Sequence, residues 1–192
     1  MLICILRHGE TDWNNEKRFQ GRENIPLNEA GIEQAKEAAK YLARYDWKAI
    51  ISSPLSRAKT TAEIISKECG NVEIHEDADL IERDYGKLSG TVSSEREKYF
   101  PDEKTAGVEP FDLLQKRTIG ALMKNIEKYE GNNIIIASHG AVINSILTYL
   151  NDNNEEIRKT RIKNAGMTML EKTGGEIKIK FFNKTAEELN KQ

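Results

Sequence analysis

The chain begins with MLICILRHGET, residues 1–11, and this stretch indicates both a fold and a kind of site. Its first six residues form an apolar run, which is typical of a strand buried on both faces of a sheet. Arg7, His8 and Gly9 follow where that strand ends, and in open α/β sheets ligands bind beyond the carboxyl ends of the strands. A guanidinium matches two phosphate oxygens and an imidazole is a nucleophile. The opening stretch therefore predicts a phosphate site with its own candidate nucleophile.

Two further predicted strands end in side chains of the same kind. The run at 47–52 is followed by Ser53, which predicts a capped helix with Arg57 one turn inside it. The run at 134–137 ends next to His139. Because the carboxyl ends of parallel strands lie at one edge of a sheet, we expect the three ends to converge there. The free N–H groups of the helix at Ser53 are expected to point to the same place.

The alternation of strands and helices predicts the α/β class, as a three-layer α/β/α sandwich with a mostly parallel central sheet. A chain of 192 residues fits a single domain, 1–192, here with a lid or insert region at about 77–109. The other expected elements are helices at 28–45, 53–69, 110–129 and after 140, a weak edge strand at 72–74, a charged helix at 93–99, a hairpin of 168–171 with 176–182, and a polar tail at 185–192.

Composition limits the partners that this protein can have. The 29 basic and 31 acidic residues give a net charge of −2, so no overall field attracts nucleic acid or a membrane surface. No apolar stretch approaches the roughly 18–20 residues that span a bilayer, and the N-terminus lacks the pattern of a signal peptide. A cytoplasmic protein with reduced thiols at Cys4 and Cys69 is expected. The sequence carries no signal of oligomeric state.

Hydrolysis of a phosphate monoester without a metal requires fixed positive groups, a nucleophile and a general acid. Arg7 and Arg57 offer two planar forks, and a protonated His139 would add a donor. His8 must be neutral to attack phosphorus, and the neighbouring arginines disfavour its imidazolium form. A backbone carbonyl in the turn at 9–11 is expected to hold the tautomer of its ring.

Three carboxylates are candidates for the general acid. Glu82 is the leading one, Asp84 is its nearest rival, and Glu10 is weaker because it would compete for the arginines beside it. His75 lies among acidic residues and is interpreted as solvated, as is the charged run Lys159–Lys163. No histidine stands at close spacing to another metal ligand, so the sequence predicts no metal site.

Several motifs together carry a resemblance to a known family. They are RHGET at 7–11, Asn14, FQG at 19–21, PLNEAG at 26–31, SSPLSRA at 52–58, Glu82 with Gly86, and SHG at 138–140. In this order, from residue 3 to about 183, the sequence resembles the histidine phosphatase superfamily, which has the phosphoglycerate mutase-like fold.

The resemblance implies a role for each matching position, and it implies that neither a metal nor a cofactor is needed. His8 becomes the phosphorylated nucleophile and Glu82 the proton donor. The remaining positions bind phosphate or line the substrate site: Arg7, Arg57 and His139 for the phosphate, and Asn14, Gln20 and Gly21 for the phosphate or the substrate.

The region after Glu82 bears on the type of reaction. ERDYG at 82–86 resembles the cofactor-dependent phosphoglycerate mutases, where the arginine and the tyrosine touch phosphoglycerate. Those mutases carry a long insert after this point, whereas sixteen residues separate Gly90 from Gly107 here. An open pocket admits water to a phosphoenzyme, which favours a phosphomonoester hydrolase acting on a small metabolite. A cofactor-dependent phosphoglycerate mutase is the alternative, and a module that only binds phospholigands would be expected to lack His8 or Glu82.

Overall fold

The computed structural model of the protein describes residues 1–95, 102 and 104–191. Its strands are β1 (Leu2–Arg7), β2 (Ala49–Ser52), β3 (Ile74–Glu76), β4 (Ile134–Ser138), β5 (Met167–Thr173) and β6 (Glu176–Lys184). Its helices are α1 (Asp12–Asn15), α2 (Glu29–Leu42), α3 (Ser56–Glu68), α4 (Phe111–Lys128), α5 (Gly140–Leu150), α6 (Glu155–Arg158) and α7 (Ala186–Asn190).

The described strands form one sheet in the order β3-β2-β4-β1-β5-β6. The pairs β3–β2, β2–β4 and β4–β1 are parallel, whereas β5 runs antiparallel to both of its neighbours. In this register Arg7 lies beside Ser138, and Ser52 lies beside Ala137. The sequence prediction of a mostly parallel sheet is confirmed, and the ends of β1, β2 and β4 meet at one edge as expected.

Helices cover both faces of the sheet, which confirms the predicted three layers. Along β1, Ile3 and Ile5 pack into the core shared with α4 and α5. Cys4 and Leu6, which alternate with them, pack into the opposite core with α2, α3 and α7. Because both faces are buried, β1 and β4 are apolar throughout their central residues. This double burial fixes the strand ends that carry the site.

Some element boundaries differ from the sequence prediction. Ser53 is not the N-cap of α3, because the helix begins at Ser56 with Leu55 as its N-cap and no side-chain cap. The Ser53 hydroxyl still accepts the N–H of Leu55 at 3.3 Å, within the turn before the helix. The edge strand pairs at Ile74–Glu76 rather than at 72–74. Asn28, where the helix at 28–45 was predicted to begin, is the N-cap of α2 and accepts the N–H of Gly31 at 2.8 Å.

The region at 77–109 is the least regular part of the described chain. It contains 3₁₀ turns at Ala78–Leu80, Gly86–Leu88 and Ser93–Glu95. Its own small core joins Leu88, Ala106 and Val108. The charged helix predicted at 93–99 begins in the last of these turns, and its positions 96–99 lie outside the described residues.

Two expectations from composition can be compared with the structure. Cys4 is buried and Cys69 is partly buried, and both are free thiols as expected. Among the helices of the described residues, none is long and apolar enough to cross a membrane.

Candidate active site

His8 occupies the first position after β1 and is 2% exposed. Its backbone N–H donates to the carbonyl of Ser138 at 3.0 Å, which joins it to the end of β4. Its Nδ1 lies 2.6 Å from the carbonyl oxygen of Gly9, so Nδ1 carries the proton and Nε2 keeps a lone pair. The predicted carbonyl acceptor in the 9–11 turn is thereby confirmed.

Burial lowers the pKa of His8 well below its ordinary value, and the charges of Arg7 and Arg57 lower it further. The sequence analysis attributed the neutral imidazole to the arginines alone. The structure makes burial the larger cause, since a charged ring loses its hydration inside the fold.

The turn after His8 is held by a close approach of two backbones. A Cβ at Gly9 would lie 2.2 Å from the carbonyl oxygen of Gly31, at the start of α2. A Cβ at Gly31 would in turn lie 2.1 Å from the carbonyl oxygen of Glu10. Only glycine fits at both positions, so the backbone itself fixes the direction in which His8 enters the site.

Arg57 is fully buried in the first turn of α3. It donates Nη1 to the carbonyl of Glu23 at 2.6 Å and Nη2 to that of Gly21 at 2.8 Å. Burial lowers its pKa to about 10. Arg7 is held similarly, with Nη1 donating to the carbonyl of Ile162 at 2.7 Å. These bonds to carbonyls fix both guanidinium planes, so each fork is only partly free for a ligand.

His139 is the N-cap of α5, and its ring centroid lies 5.3 Å from that of His8. Its Nε2 lies 2.7 Å from the hydroxyl of Ser53. Burial lowers the pKa of His139 well below its ordinary value, which favours the neutral form of the ring over the protonated one. If the Ser53 hydroxyl donates to Nε2, the ring proton is on Nδ1 and can be offered to a ligand.

Gly140 and Ala141, the first two residues of α5, line the cavity in front of His8. The helix that was predicted to begin at Ser53 also reaches this cavity, since Arg57, the second residue of α3, lines it. Among the described residues, both α3 and α5 therefore begin at the cavity. The positive end of an 11-residue helix therefore faces the site.

Three buried nitrogen atoms at this place have no acceptor among the described residues: Arg7 Nε, Arg57 Nε and His139 Nδ1. A buried donor without a partner costs about 1–3 kcal/mol. One anion with three equivalent oxygens could satisfy all three. The cluster is therefore suited to a phosphoryl group beside the Nε2 lone pair of His8.

Glu82 is 8% exposed and lines the same cavity. Its Oε1 accepts the N–H of Arg83 at 2.8 Å, and its Oε2 accepts the N–H of Ala141 at 3.5 Å. Neither rival carboxylate lines the cavity within the described residues. Asp84 accepts the N–H of Gly86 at 2.8 Å, and Glu10 accepts the amide of Asn28 at 3.1 Å. The geometry favours Glu82 as the general acid.

The three predicted substrate contacts also line this cavity, which has a volume of about 310 Å³. Asn14 accepts the side-chain amide of Asn164 at 2.9 Å. Gln20 is 7% exposed, and its Oε1 is buried without a donor among the described residues. Gly21 lines the cavity, and its carbonyl accepts the hydrogen bond that helps to hold Arg57 in place. A cavity of this size fits a small metabolite.

Other lining residues were missed by the sequence analysis. They include Arg18, Phe111, Asn144, Arg158 and Arg161. Arg161 belongs to the charged run Lys159–Lys163 that was interpreted as solvated surface. Charge patterning alone gives no signal that one residue of such a run faces a cavity. Within the described residues, no three metal-ligating side chains come together.

A mostly parallel sheet with two buried histidines and two arginines at one edge is typical of the phosphoglycerate mutase-like fold. The chain matches the histidine phosphatase superfamily (branch 1) over residues 3–185 and belongs to that family. The family acts through a phosphohistidine.

Relatives with different names resemble this chain in sequence or in fold. The uncharacterized phosphatase PhoE of Bacillus subtilis is 39% identical over 94% of this chain and 93% of its own. The probable phosphoglycerate mutase GpmB of Salmonella choleraesuis is 31% identical over 89% of this chain and 85% of its own. A mutant phosphoserine phosphatase of Entamoeba histolytica, solved with phosphoserine, superposes with a TM-score of 0.84 at 26% identity, covering 98% of both chains.

Proposed function

We propose that this protein is a metal-independent phosphomonoester hydrolase that acts on a small phosphorylated metabolite through a phosphohistidine at His8. One observation carries the proposal. A neutral His8, with its lone pair on Nε2, lies beside three buried donors that lack acceptors among the described residues. This arrangement combines a nucleophile with a pocket for the charge of a transferring phosphoryl group.

In the first step, Nε2 of His8 attacks phosphorus in line with the ester oxygen, and the P–O bond to the leaving group breaks. Arg7, Arg57 and His139 hold the three non-bridging oxygens. Glu82 gives its proton to the leaving alkoxide, which departs as an alcohol. The positive charge that this step requires comes from side chains and from the start of α5.

In the second step, Glu82 removes a proton from water, and the resulting hydroxide attacks the phosphorus of the phosphohistidine. The P–N bond breaks and its electron pair returns to Nε2. Inorganic phosphate leaves, and Glu82 is protonated again for the next cycle. His8 begins and ends the cycle neutral, which the lowered pKa favours.

The proposal is tested with p-nitrophenyl phosphate in excess EDTA. The wild-type protein is expected to release phosphate, and His8→Ala is expected to lose about a thousandfold or more of kcat. His75→Ala is the matched control, because His75 lies in the edge strand β3, away from the cavity. A radiolabelled substrate should leave an acid-labile label on the wild-type protein and on His75→Ala only. Full activity in His8→Ala would contradict the proposal.

A second assay separates hydrolysis from phosphoglycerate mutase activity. The mutase is the alternative because GpmB, a relative of this chain, is named as a probable phosphoglycerate mutase. The protein is incubated with 3-phosphoglycerate, with and without bisphosphoglycerate as primer. Phosphate release faster than formation of 2-phosphoglycerate supports a hydrolase. Primer-dependent interconversion faster than phosphate release would instead identify a mutase.

A further inference from the structure

The cavity in front of His8 carries more positive charge than one phosphate requires. Within the described residues it is lined by one carboxylate, Glu82, and by six arginines: Arg7, Arg18, Arg57, Arg83, Arg158 and Arg161. A phosphomonoester brings about −1.5 to −2 charges at neutral pH. Arg7 and Arg57 are placed to balance that charge at the buried end. Arg18 forms an ion pair with Glu16. Arg158 and Arg161 form another part of the cavity lining, which we call the outer wall.

Arg161 is the clearest part of that excess. Its guanidinium is exposed, and no carboxylate of the described residues pairs with it. It is close to the phosphate end, because its charge contributes to lowering the pKa of Arg7. The next residue along the chain, Ile162, accepts the hydrogen bond from Arg7 at 2.7 Å. A cation that has no carboxylate partner within the described residues therefore lies one residue from the carbonyl that holds Arg7.

Arg158 stands on the same wall and is held by packing. Its guanidinium carbon lies 4.0 Å from the ring centroid of Phe111, which also lines the cavity. Its ion pair with Glu155, at 3.1 Å, involves a carboxylate that is 64% exposed and therefore weakly bound. Stacking on an aromatic face orients the fork of an arginine and leaves N–H groups at its edge.

The segment that carries both arginines is anchored to α5. The side-chain amide of Asn144 donates to the carbonyl of Thr160 at 2.8 Å and to that of Arg158 at 3.3 Å. Ile162, at the end of the segment, is 2% exposed. The wall therefore has a fixed backbone, and its cations are held near the site rather than at the end of a free loop.

We propose that Arg161 and Arg158 bind a second anionic group, located on the leaving-group side of the substrate. The preferred substrates are then small phosphomonoesters whose alcohol part carries a carboxylate or a second phosphate. This inference rests on the proposed function for the identity of the first anion, the phosphoryl group at His8. A guanidinium binds a carboxylate or a phosphate through paired N–H bonds, which a hydroxyl group cannot replace.

Matched substrate pairs test this proposal. 3-Phosphoglycerate is compared with glycerol 3-phosphate, and O-phosphoserine with phosphoethanolamine, each pair differing by a carboxylate. Fructose 1,6-bisphosphate against fructose 6-phosphate tests a second phosphate. For at least one kind of anion, kcat/KM is expected to favour the more anionic member by about tenfold or more, the usual effect of a hydrogen bond to a charged group.

The variants are Arg161→Gln and Arg158→Gln, with Lys159→Gln as control. Lys159 is exposed, lies between the two arginines and does not line the cavity, so its removal takes away the same charge from the same segment. The preference within the pairs should fall toward one in Arg161→Gln and decrease in Arg158→Gln. It should persist in Lys159→Gln. Equal preference in all four proteins, or none in the wild type, would overturn the inference.

Binding measurements keep the two proposals distinguishable. Calorimetry on His8→Ala and on His8→Ala with Arg161→Gln gives the Kd of each paired ligand without turnover. A preference for the more anionic ligand that disappears with Arg161→Gln supports the second anion site, even if the wild type releases no phosphate. Turnover of p-nitrophenyl phosphate without any such preference leaves the proposed function standing and refutes the second site.

Discussion

His8 and His139 lose their contact with water when the chain folds, and this loss has consequences for stability as well as for reactivity. Burial is the first cause of the lowered pKa at both residues. In the unfolded chain an imidazole has an ordinary pKa near 6.5. The unfolded state therefore takes up protons below that pH while the folded state does not. Acid then favours unfolding, because the unfolded state binds more protons.

We expect the free energy of unfolding to decrease as the pH falls from 6.5 to 5. Each buried imidazole contributes a slope that rises from about 0.7 kcal/mol per pH unit at pH 6.5 to about 1.3 at pH 5, as the unfolded ring becomes fully protonated. Urea titrations at several pH values, in buffers without phosphate, measure the slope. His8→Gln should reduce it by roughly one such contribution, whereas His75→Gln, at the sheet edge, should leave it unchanged. A slope that is the same in all three proteins would refute this linkage.

At the scale of elements, α4 positions the candidate general acid through Arg117, a residue that does not itself line the cavity. Arg117 of α4 donates Nη1 to the carbonyls of Asp79 and Ile81, at 2.6 and 2.7 Å. It also donates Nη2 to the carbonyl of Glu82 at 3.2 Å. Both oxygens of Glu109 bind the same guanidinium, at 2.8 and 2.9 Å. One side chain therefore ties the backbone around Glu82 to a helix of the core.

Arg117→Lys is expected to weaken acid catalysis selectively. A lysine cannot reproduce the planar set of five contacts, so the position of Glu82 becomes less defined. An alkyl phosphate needs a proton for its leaving group, whereas nitrophenolate leaves without one. The kcat for an alkyl phosphate should fall about 10-fold to 100-fold more than that for p-nitrophenyl phosphate.

Lys116→Gln, at an exposed neighbouring position of α4, is the control for loss of charge. Melting temperatures of both variants separate a change in stability from a change in leaving-group dependence. Equal losses with the two substrates would show that Arg117 serves only the stability of the fold.

The strands of the core were predictable because burial on both faces leaves a plain apolar pattern, as in β1 and β4. The start of α3 was not predictable in the same way. Besides the N–H of Leu55, the side chain of Ser53 has a second partner. Its hydroxyl lies 2.7 Å from Nε2 of His139, a residue 86 positions away in the chain. Local capping rules consider only neighbouring residues, so they give no signal of a contact of this range.

The whole molecule brings together residues that its sequence keeps far apart. Parallel strand ends share one edge, so the meeting of Arg7, His8 and His139 could be inferred from order and periodicity alone. The outer wall could not, because Arg158 and Arg161 follow no period and are placed by bonds from Asn144. The grouping of residues at the sheet edge is thus predictable from topology, whereas the proposed second anion site lies in and just after the short helix α6, where topology gives no such signal.

The same assembly leaves buried donors that a bound anion would satisfy. Buried donors of Arg7, Arg57 and His139 lack acceptors among the described residues, so the fold alone does not satisfy its own phosphate pocket. A ligand that binds only the folded state stabilises it in proportion to its concentration over Kd. Inorganic phosphate should therefore raise the melting temperature.

At about 100 times Kd, phosphate should add about 2.7 kcal/mol to the free energy of unfolding. For a chain of this size that corresponds to roughly 5–10 °C in melting temperature. Differential scanning calorimetry with phosphate, and with potassium chloride at equal ionic strength, measures the increment. It should shrink in Arg7→Gln, which removes one of the unpartnered donors, and persist in Lys48→Gln, at an exposed residue outside the cavity. An equal increment from chloride, or an undiminished one in Arg7→Gln, would show that phosphate acts elsewhere on the surface.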